Sequence, residues 1–159
     1  MQALTANQRA FLDMIAHSEI GQDLLEISDN GYNVIVGSTP ENPILFDSYA
    51  DHPNRLITLP NGLKSTAAGR YQLLHRWWVP YKQMLDLQDF GYDSQDAVAM
   101  QQIKERGALP FIESGDLENA IFRCSSIWAS LPGSTYGQHT NTLADLQKAY
   151  TSAGGILKT

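Results

Sequence analysis

Glu19 closes an otherwise apolar helical stripe, and a carboxyl group in that position has distinctive proton chemistry. Upstream, Phe11, Met14 and Ile15 recur at helical spacing, and Thr5 with Gln8 is spaced like a capping box that would open the helix. A helix continued from Ile15 carries Glu19 on the apolar face, close to the C-terminal end. Desolvation and the helix dipole there both favour the neutral acid. A carboxyl group whose pKa is raised in this way can donate a proton near neutral pH, so Glu19 is a candidate general acid. The same position also suits a carboxylate that only ties down a neighbouring loop, and position alone does not separate the two readings.

Two other segments carry polar groups that could face a ligand. Ser65-Thr66-Ala67-Ala68-Gly69-Arg70-Tyr71-Gln72 places small residues ahead of polar ones. Small residues allow close approach to the backbone, and Gln72 could bond an amide or a hydroxyl. The structural alternative is a tight loop packed under Trp77 and Trp78. Pro132-Gly133-Ser134-Thr135-Tyr136-Gly137-Gln138 is a glycine-flanked loop presenting Tyr136 and Gln138, and its alternative is a plain connection.

Other chemistries find little support. Cys124 is the only cysteine and lies on the stripe Leu117, Ala120, Ile121, Cys124, Ile127, Trp128, Leu131, which reads as a buried helix face with a core thiol. His17, His52, His75 and His139 form no closely spaced ligand pair, so neither a metal nor another cofactor is expected. A formal net charge of −6, with basic residues that read as scattered, argues against nucleic acid and anionic membranes as partners. No apolar run reaches membrane-spanning length, so no membrane insertion is expected. Met1-Gln2-Ala3-Leu4-Thr5 carries neither a basic nor an apolar leader, so accumulation in the cytoplasm is expected.

The elements that must position these groups read as helix, small sheet, then several helices. Tyr32-Asn33-Val34-Ile35-Val36-Gly37 reads as a strand, Ile44-Leu45-Phe46 and Leu56-Ile57-Thr58-Leu59 as further extended pieces, and Pro60-Asn61-Gly62 as a turn. Beyond Lys64, a helical segment starts at Leu73 and breaks near Pro80. Ser94 would cap a helix through Ile103 that Gly107 stops, and Asp116 would cap a helix from Leu117 to Leu131. Thr142 would cap a last helix closed by Gly154-Gly155. The expected architecture is α+β: one domain over residues 1–159, a helical lobe with a small antiparallel β-lobe at about 32–63, and an interlobe cleft.

Spaced words along nearly the whole chain carry a family resemblance. They are Gln8-Arg9-Ala10-Phe11-Leu12-Asp13-Met14, Ser18-Glu19, Gly31-Tyr32 with Val34-Ile35-Val36-Gly37, and Asp51-His52-Pro53. Leu63-Lys64-Ser65-Thr66, Gly69-Arg70-Tyr71-Gln72-Leu73-Leu74 and Arg76-Trp77-Trp78 follow, then 94–99, 101–110, 127–133 and Tyr136-Gly137-Gln138. With these the chain resembles the lambda-type phage endolysins, which are lysozyme-like lytic transglycosylases of bacterial peptidoglycan. The resemblance implies a lysozyme-like fold, Glu19 as catalytic acid, and Tyr32, Ile35, Gly37, Thr66, Gln72, Tyr136 and Gln138 as substrate-binding positions. It also implies a monomer acting on glycan strands, made in the host cytoplasm and reaching the wall at lysis through a holin. The stretches 20–30 and 38–49 depart from the family wording, which leaves glycan chain-length preference open.

In such a reaction Glu19 would protonate the glycosidic oxygen and then, as carboxylate, accept the proton of the muramic C6 hydroxyl that closes a 1,6-anhydro ring. One residue serves twice and no second carboxylate is required. A hydrolytic muramidase would need a second acid, for which Asp23, Glu26, Asp29, Asp47 and Asp51 are available. A glycan-binding module without catalysis is the remaining alternative.

Overall fold

The computed structural model describes residues 3–133 and 141–159. The chain divides into two compact units, one formed by Met1–Glu19 with Ala99–Thr159 and the other by Ile20–Val98. The architecture is α+β, mainly helical with one two-stranded antiparallel sheet.

In the first unit, helix α1 (Ala6–Glu19) opens on the expected capping box. The Thr5 amide donates to Gln8 Oε1 and the Gln8 amide donates to Thr5 Oγ1, each at 3.1 Å. Its burial is wider than a single stripe: Ala10, Phe11, Leu12, Met14, Ile15 and Ala16 are all sealed from solvent. Neighbours on more than one side explain this, since α1 packs against both α5 (Leu109–Ser114) and α7 (Leu143–Ser152). Asp116 caps α6 (Leu117–Cys124) by accepting from the Asn119 amide, and Thr142 caps α7 by accepting from the Asp145 amide.

Helix α6 stops at Cys124 rather than continuing to Leu131. The Ser125 hydroxyl donates to the Phe122 carbonyl at 2.8 Å, and its amide turns back to the same oxygen. Such local bonds offer the backbone an alternative to the helix ladder. Beyond this point the chain proceeds by turns, although Cys124, Trp128 and Leu131 remain buried. The Cys124 thiol is a core group as its stripe indicated, and burial pushes its pKa up to about 12.

The second unit holds a helix the sequence patterns did not mark, α2 (Gln22–Ile27), entered through Gly21 at φ 89°. Strands β1 (Ile57–Thr58) and β2 (Lys64–Ser65) pair as Ile57 with Ser65 and Thr58 with Lys64, across the Pro60-Asn61-Gly62 turn. Tyr32–Gly37 is not a strand. Its residues bond alternately to different partners, the Ile35 amide to the Ile44 carbonyl and the Val36 amide to the Ala67 carbonyl, so that only isolated bridges form. Helix α3 (His75–Met84) runs through Pro80 instead of breaking there. Proline forfeits only its own donation to the Arg76 carbonyl, and both residues lie exposed.

Helix α4 (Tyr92–Glu105) carries the boundary between the units, and it begins two residues before the expected cap. Asp89 fixes the turn ahead of the helix, accepting from the Gly91 amide at 2.9 Å and from the Ser94 hydroxyl at 3.1 Å. Ile35, Phe46, Ala68, Leu73, Trp78, Phe90 and Val98 form the apolar core of this unit.

Gly69 sits where that core meets a tight loop. Its φ is 87°, and an added methyl would run into Gln95 Oε1 and stand 3.1 Å from the Phe90 ring. Left-handed strain and overpacking each cost about 1–3 kcal/mol, so Gly69→Ala should lower unfolding free energy by about 2–4 kcal/mol. Urea denaturation of the purified variant measures this, and a loss below about 1 kcal/mol would contradict the packing described.

Candidate active site

Glu19 is the last residue of α1 and is half-buried. The turning chain beyond α6 returns Ser130 to it, and the Ser130 hydroxyl donates to Glu19 Oε2. Ser130 is itself held. Its oxygen lies 2.7 Å from the Ser18 hydroxyl, and its carbonyl accepts from the Asn141 amide at 2.8 Å. The Asn141 side chain donates to Ser18 Oγ at 2.9 Å and to the Ser18 carbonyl at 3.3 Å. With Asn141 donating to Ser18 and Ser130 donating to Glu19, the Ser18 hydroxyl is left to donate to Ser130. The donors therefore all run one way, Asn141 to Ser18 to Ser130 to Glu19.

Two opposed effects act on the Glu19 carboxyl. Burial favours its neutral form, while the hydroxyl and backbone amide of Ser130 favour the anion. Burial wins, and the pKa rises to about 7. The group is thus divided between acid and base near neutral pH, which suits a residue that must donate a proton and then take one back.

The remaining expected site residues fall in the second unit or outside the described residues. Tyr32 is buried, and its hydroxyl donates to Asp96 Oδ1 at 2.9 Å. Ile35 lies in the apolar core, and Gly37 turns the chain at φ 86° beside Ile57 and Leu59. Thr66 Oγ1 accepts from the His75 amide at 3.0 Å. Gln72 adopts φ 52°, and its side-chain amide donates to the carbonyls of Gly69 at 2.8 Å and Val34 at 3.3 Å. Both Gln72 donors are thereby used in holding its own loop, and its side-chain oxygen is the atom able to receive a ligand donor. Tyr136 and Gln138 lie outside the described residues.

Ser130 and Asn141 were not anticipated as partners of the acid. The only sequence signal for Ser130 was its place in the 127–133 word. Asp51, the candidate second carboxylate that lies in a family word, bonds to other groups. Its Oδ1 accepts from Trp78 Nε1 at 2.7 Å, the His52 amide at 2.9 Å and Lys82 Nζ at 3.4 Å, and these bonds, the Trp78 one foremost, hold its pKa below the usual carboxylate value. Among the described residues no three His, Cys, Asp or Glu side chains converge as a metal site would require, and no helix is long and apolar enough to cross a membrane.

Comparison with known proteins matches residues 9–157 to the family described as Endolysin. The endolysin of Escherichia phage lambda is 52% identical over 99% of this chain and 98% of its own length. The endolysin of Escherichia phage P2 is 46% identical over 94% of each. Among solved structures, the bacteriophage lambda lysozyme complexed with a chitohexasaccharide superposes with a TM-score of 0.92 at 51% identity, covering 99% of this chain and 100% of that one. A second structure of lysozyme from bacteriophage lambda gives 0.87 at 50% identity over the same shares. The lysozyme-like fold expected from the sequence is thereby established.

The proton balance at Glu19 can be measured directly. A carboxyl carbon titration by nuclear magnetic resonance should show Glu19 with a midpoint near 7. Removing the hydroxyl in Ser130→Ala should move that midpoint upward, because the anion keeps the backbone amide but loses its side-chain donor while burial persists. Stability follows with a definite sign: a carboxyl with a raised folded pKa stabilises the fold fully below its unfolded value of 4.5, and this is lost as pH rises to about 7. A downward move of the midpoint in Ser130→Ala would show that the serine does not act as the donor.

Proposed function

The chain belongs to the endolysin family, and from that premise we propose that it is a lytic transglycosylase of bacterial peptidoglycan. It cuts the β-1,4 bond from N-acetylmuramic acid to N-acetylglucosamine and leaves a 1,6-anhydro-muramoyl end. The observation that carries this reading is the half-buried Glu19 carboxyl, with a pKa near 7 and a fixed hydroxyl donor at one oxygen. That a related lysozyme was solved with a chitohexasaccharide supports a glycan as the ligand class.

In the first step the neutral Glu19 donates its proton to the glycosidic oxygen, the C1–O bond breaks, and C1 becomes oxocarbenium-like. Protonated Glu19 is the reactive form, and the Ser130 hydroxyl stabilises the carboxylate that the transfer creates. In the second step that carboxylate takes the proton from the C6 hydroxyl of the same sugar, whose oxygen bonds to C1. Glu19 ends as it began, and no water enters the product. Tethering of the nucleophile to the substrate supplies the proximity that an enzyme otherwise builds with a second group. Commitment of Asp51 to Trp78, His52 and Lys82 is in keeping with a mechanism that asks for no second acid.

Residues 1–159 act in this reading as one catalytic domain, with Tyr32, Ile35, Gly37, Thr66, Gln72, Tyr136 and Gln138 along the glycan path. The protein acts as a monomer, accumulates in the host cytoplasm and reaches the wall when a holin opens the inner membrane.

Mass analysis of muropeptides released from purified sacculi tests the chemistry. The expected products are lighter by one water than hydrolytic ones and take up no oxygen-18 from labelled water. Reducing-end muramic acid carrying the label would assign the enzyme to the hydrolytic muramidases instead.

Glu19→Gln should keep the fold, since the amide is nearly isosteric, and lose turnover by about 10²–10⁴-fold, the usual contribution of acid–base catalysis. Turbidity clearing of permeabilised Gram-negative cells reads this out, and clearing at more than a few per cent of the parent rate would place the acid elsewhere. For the parent, kcat/KM should fall as pH rises above about 7, because the proton to be donated is already gone.

A further inference from the structure

The basic residues are less scattered than a first reading of the sequence indicates. Between Asp51 and Asp86 there is no Asp or Glu, while Arg55, Lys64, Arg70, Arg76 and Lys82 all fall there, in a chain whose formal net charge is −6. The fold puts these cations to different uses. Arg70 is buried, donating through Nε to the Asn30 carbonyl at 2.9 Å and through Nη1 to the Tyr71 hydroxyl at 3.1 Å. Lys82 reaches Asp51 at 3.4 Å. Lys64 and Arg76 instead meet at the wall of one open cavity of about 330 Å³.

The lining of this cavity points to one kind of ligand. Lys64 and Arg76 are exposed, and neither has an ion-pair partner among the described residues. The Arg76 guanidinium carbon lies 5.4 Å from the centroid of the Trp77 ring, a cation–π contact that leaves its charge without a carboxylate partner among the described residues. Ser65 and Thr66 also line the cavity. Their hydroxyl oxygens already accept backbone amides, Ser65 from Ala67 at 3.1 Å and Thr66 from His75 at 3.0 Å, so each hydroxyl has a proton to give. Two cations and two hydroxyls line the space beside Asn54 and His75, which can also donate, and no carboxylate lines it. A ligand that only accepts hydrogen bonds and carries negative charge complements that set. Leu56 and Leu74 add apolar surface to the wall, which a bare inorganic anion cannot use and the aliphatic groups of a short peptide can.

We propose that this cavity is a subsite for a free carboxylate of the peptide stems carried by the glycan strand. The proposal rests on peptidoglycan being the substrate, and it adds that the enzyme reads the charge of the stem as well as the sugar. Lys64 and Arg76 hold the carboxylate, Ser65 and Thr66 donate to its oxygens, and Leu56 with Leu74 cover the adjoining aliphatic part. Because the subsite is made of exposed charges, it works through short-range attraction that salt weakens.

Calorimetric titration of the full chain carrying Glu19→Gln, which keeps the fold and does not consume the probes, tests this and serves as the parent below. The probes are a soluble glycan oligomer with free stem carboxylates, the same oligomer with those carboxylates amidated, and chitohexaose, which has none. The free-carboxylate probe should bind about fivefold more tightly than the amidated one at 0.01 M salt, and less than that at 0.1 M. Combining Lys64→Gln with Arg76→Gln should bring the two affinities together, and Lys64→Arg with Arg76→Lys should restore their difference. Equal binding of both probes by the parent, or a ratio unchanged in the glutamine pair, would overturn the subsite. Inorganic phosphate that abolishes the difference between the two probes at the probes' own concentration would overturn it too, by showing a general anion site. Chitohexaose reports on the wider reading separately: its failure to bind would sink the glycan assignment while the two stem probes still decide the subsite.

Discussion

Everything at the end of α1 turns on keeping a carboxyl group out of water without leaving it unsatisfied. Removing Glu19 from solvent raises its pKa, and a donor that bonded it too well would return it to an ordinary carboxylate. Ser130 supplies a hydroxyl and a backbone amide, enough to satisfy the anion when it forms but not to abolish the shift. Two structural decisions set that balance. The first is the enclosure of α1 by α5 and α7, which fixes the helix axis and with it the position of its last residue. The second is the early end of α6 at Cys124, after which the chain turns and brings Ser130 back to Ser18 and Glu19. A helix running straight on to Leu131 would have carried that hydroxyl away.

A second buried polar arrangement organises the other unit by the same logic. Asp96 Oδ1 accepts the hydroxyls of Tyr32 at 2.9 Å and Tyr71 at 2.6 Å. Gln95 beside it accepts the Arg70 amide and donates to the carbonyls of Tyr32 and Phe90. Breaking one member of so connected a set leaves a buried group unpaired, which costs more than the bond itself was worth. The Gly69-Arg70-Tyr71-Gln72 word is therefore a structural clamp as well as a stretch of the expected glycan path. Its glycine admits Gln95, its arginine and tyrosine bond inward, and its glutamine pins the loop to Val34.

What could be read from the sequence depended on how local the determining interaction was. The caps at Thr5, Asp116 and Thr142 act over three residues, and all three appear as expected. The stripe around Cys124 declared a buried face, though not where the helix along it would stop, because a competing serine hydroxyl decided that. Tyr32–Gly37 has strand-like residues, but strands need a partner over several residues, and here the bridges go to two separate segments, one at Leu45 and one at Ala68. The raised pKa of Glu19 was legible from its own helix, whereas Ser130 and Asn141 are remote in sequence and no local pattern announces them. Lys64 and Arg76 lie far enough apart in sequence that no local pattern announces the cavity they share. The absence of acids between Asp51 and Asp86 carries more information.

On the proposed mechanism, Glu19 and the Lys64–Arg76 pair act on different parts of the reaction's free energy. A carboxyl that changes protonation during bond breaking contributes to the transition state and not to the bound substrate, so its effect is on kcat. A carboxylate held by Lys64 and Arg76 keeps the same charge throughout, so its contacts lower the energies of bound substrate and transition state together and act on KM. An acidic chain gains particularly from such a contact. Its overall field repels a wall that carries carboxylates, whereas at contact distance the local cations outweigh the net charge. Selectivity for stem charge can therefore change across related enzymes by substitution around Lys64 and Arg76, while the proton chemistry at Glu19 stays as it is.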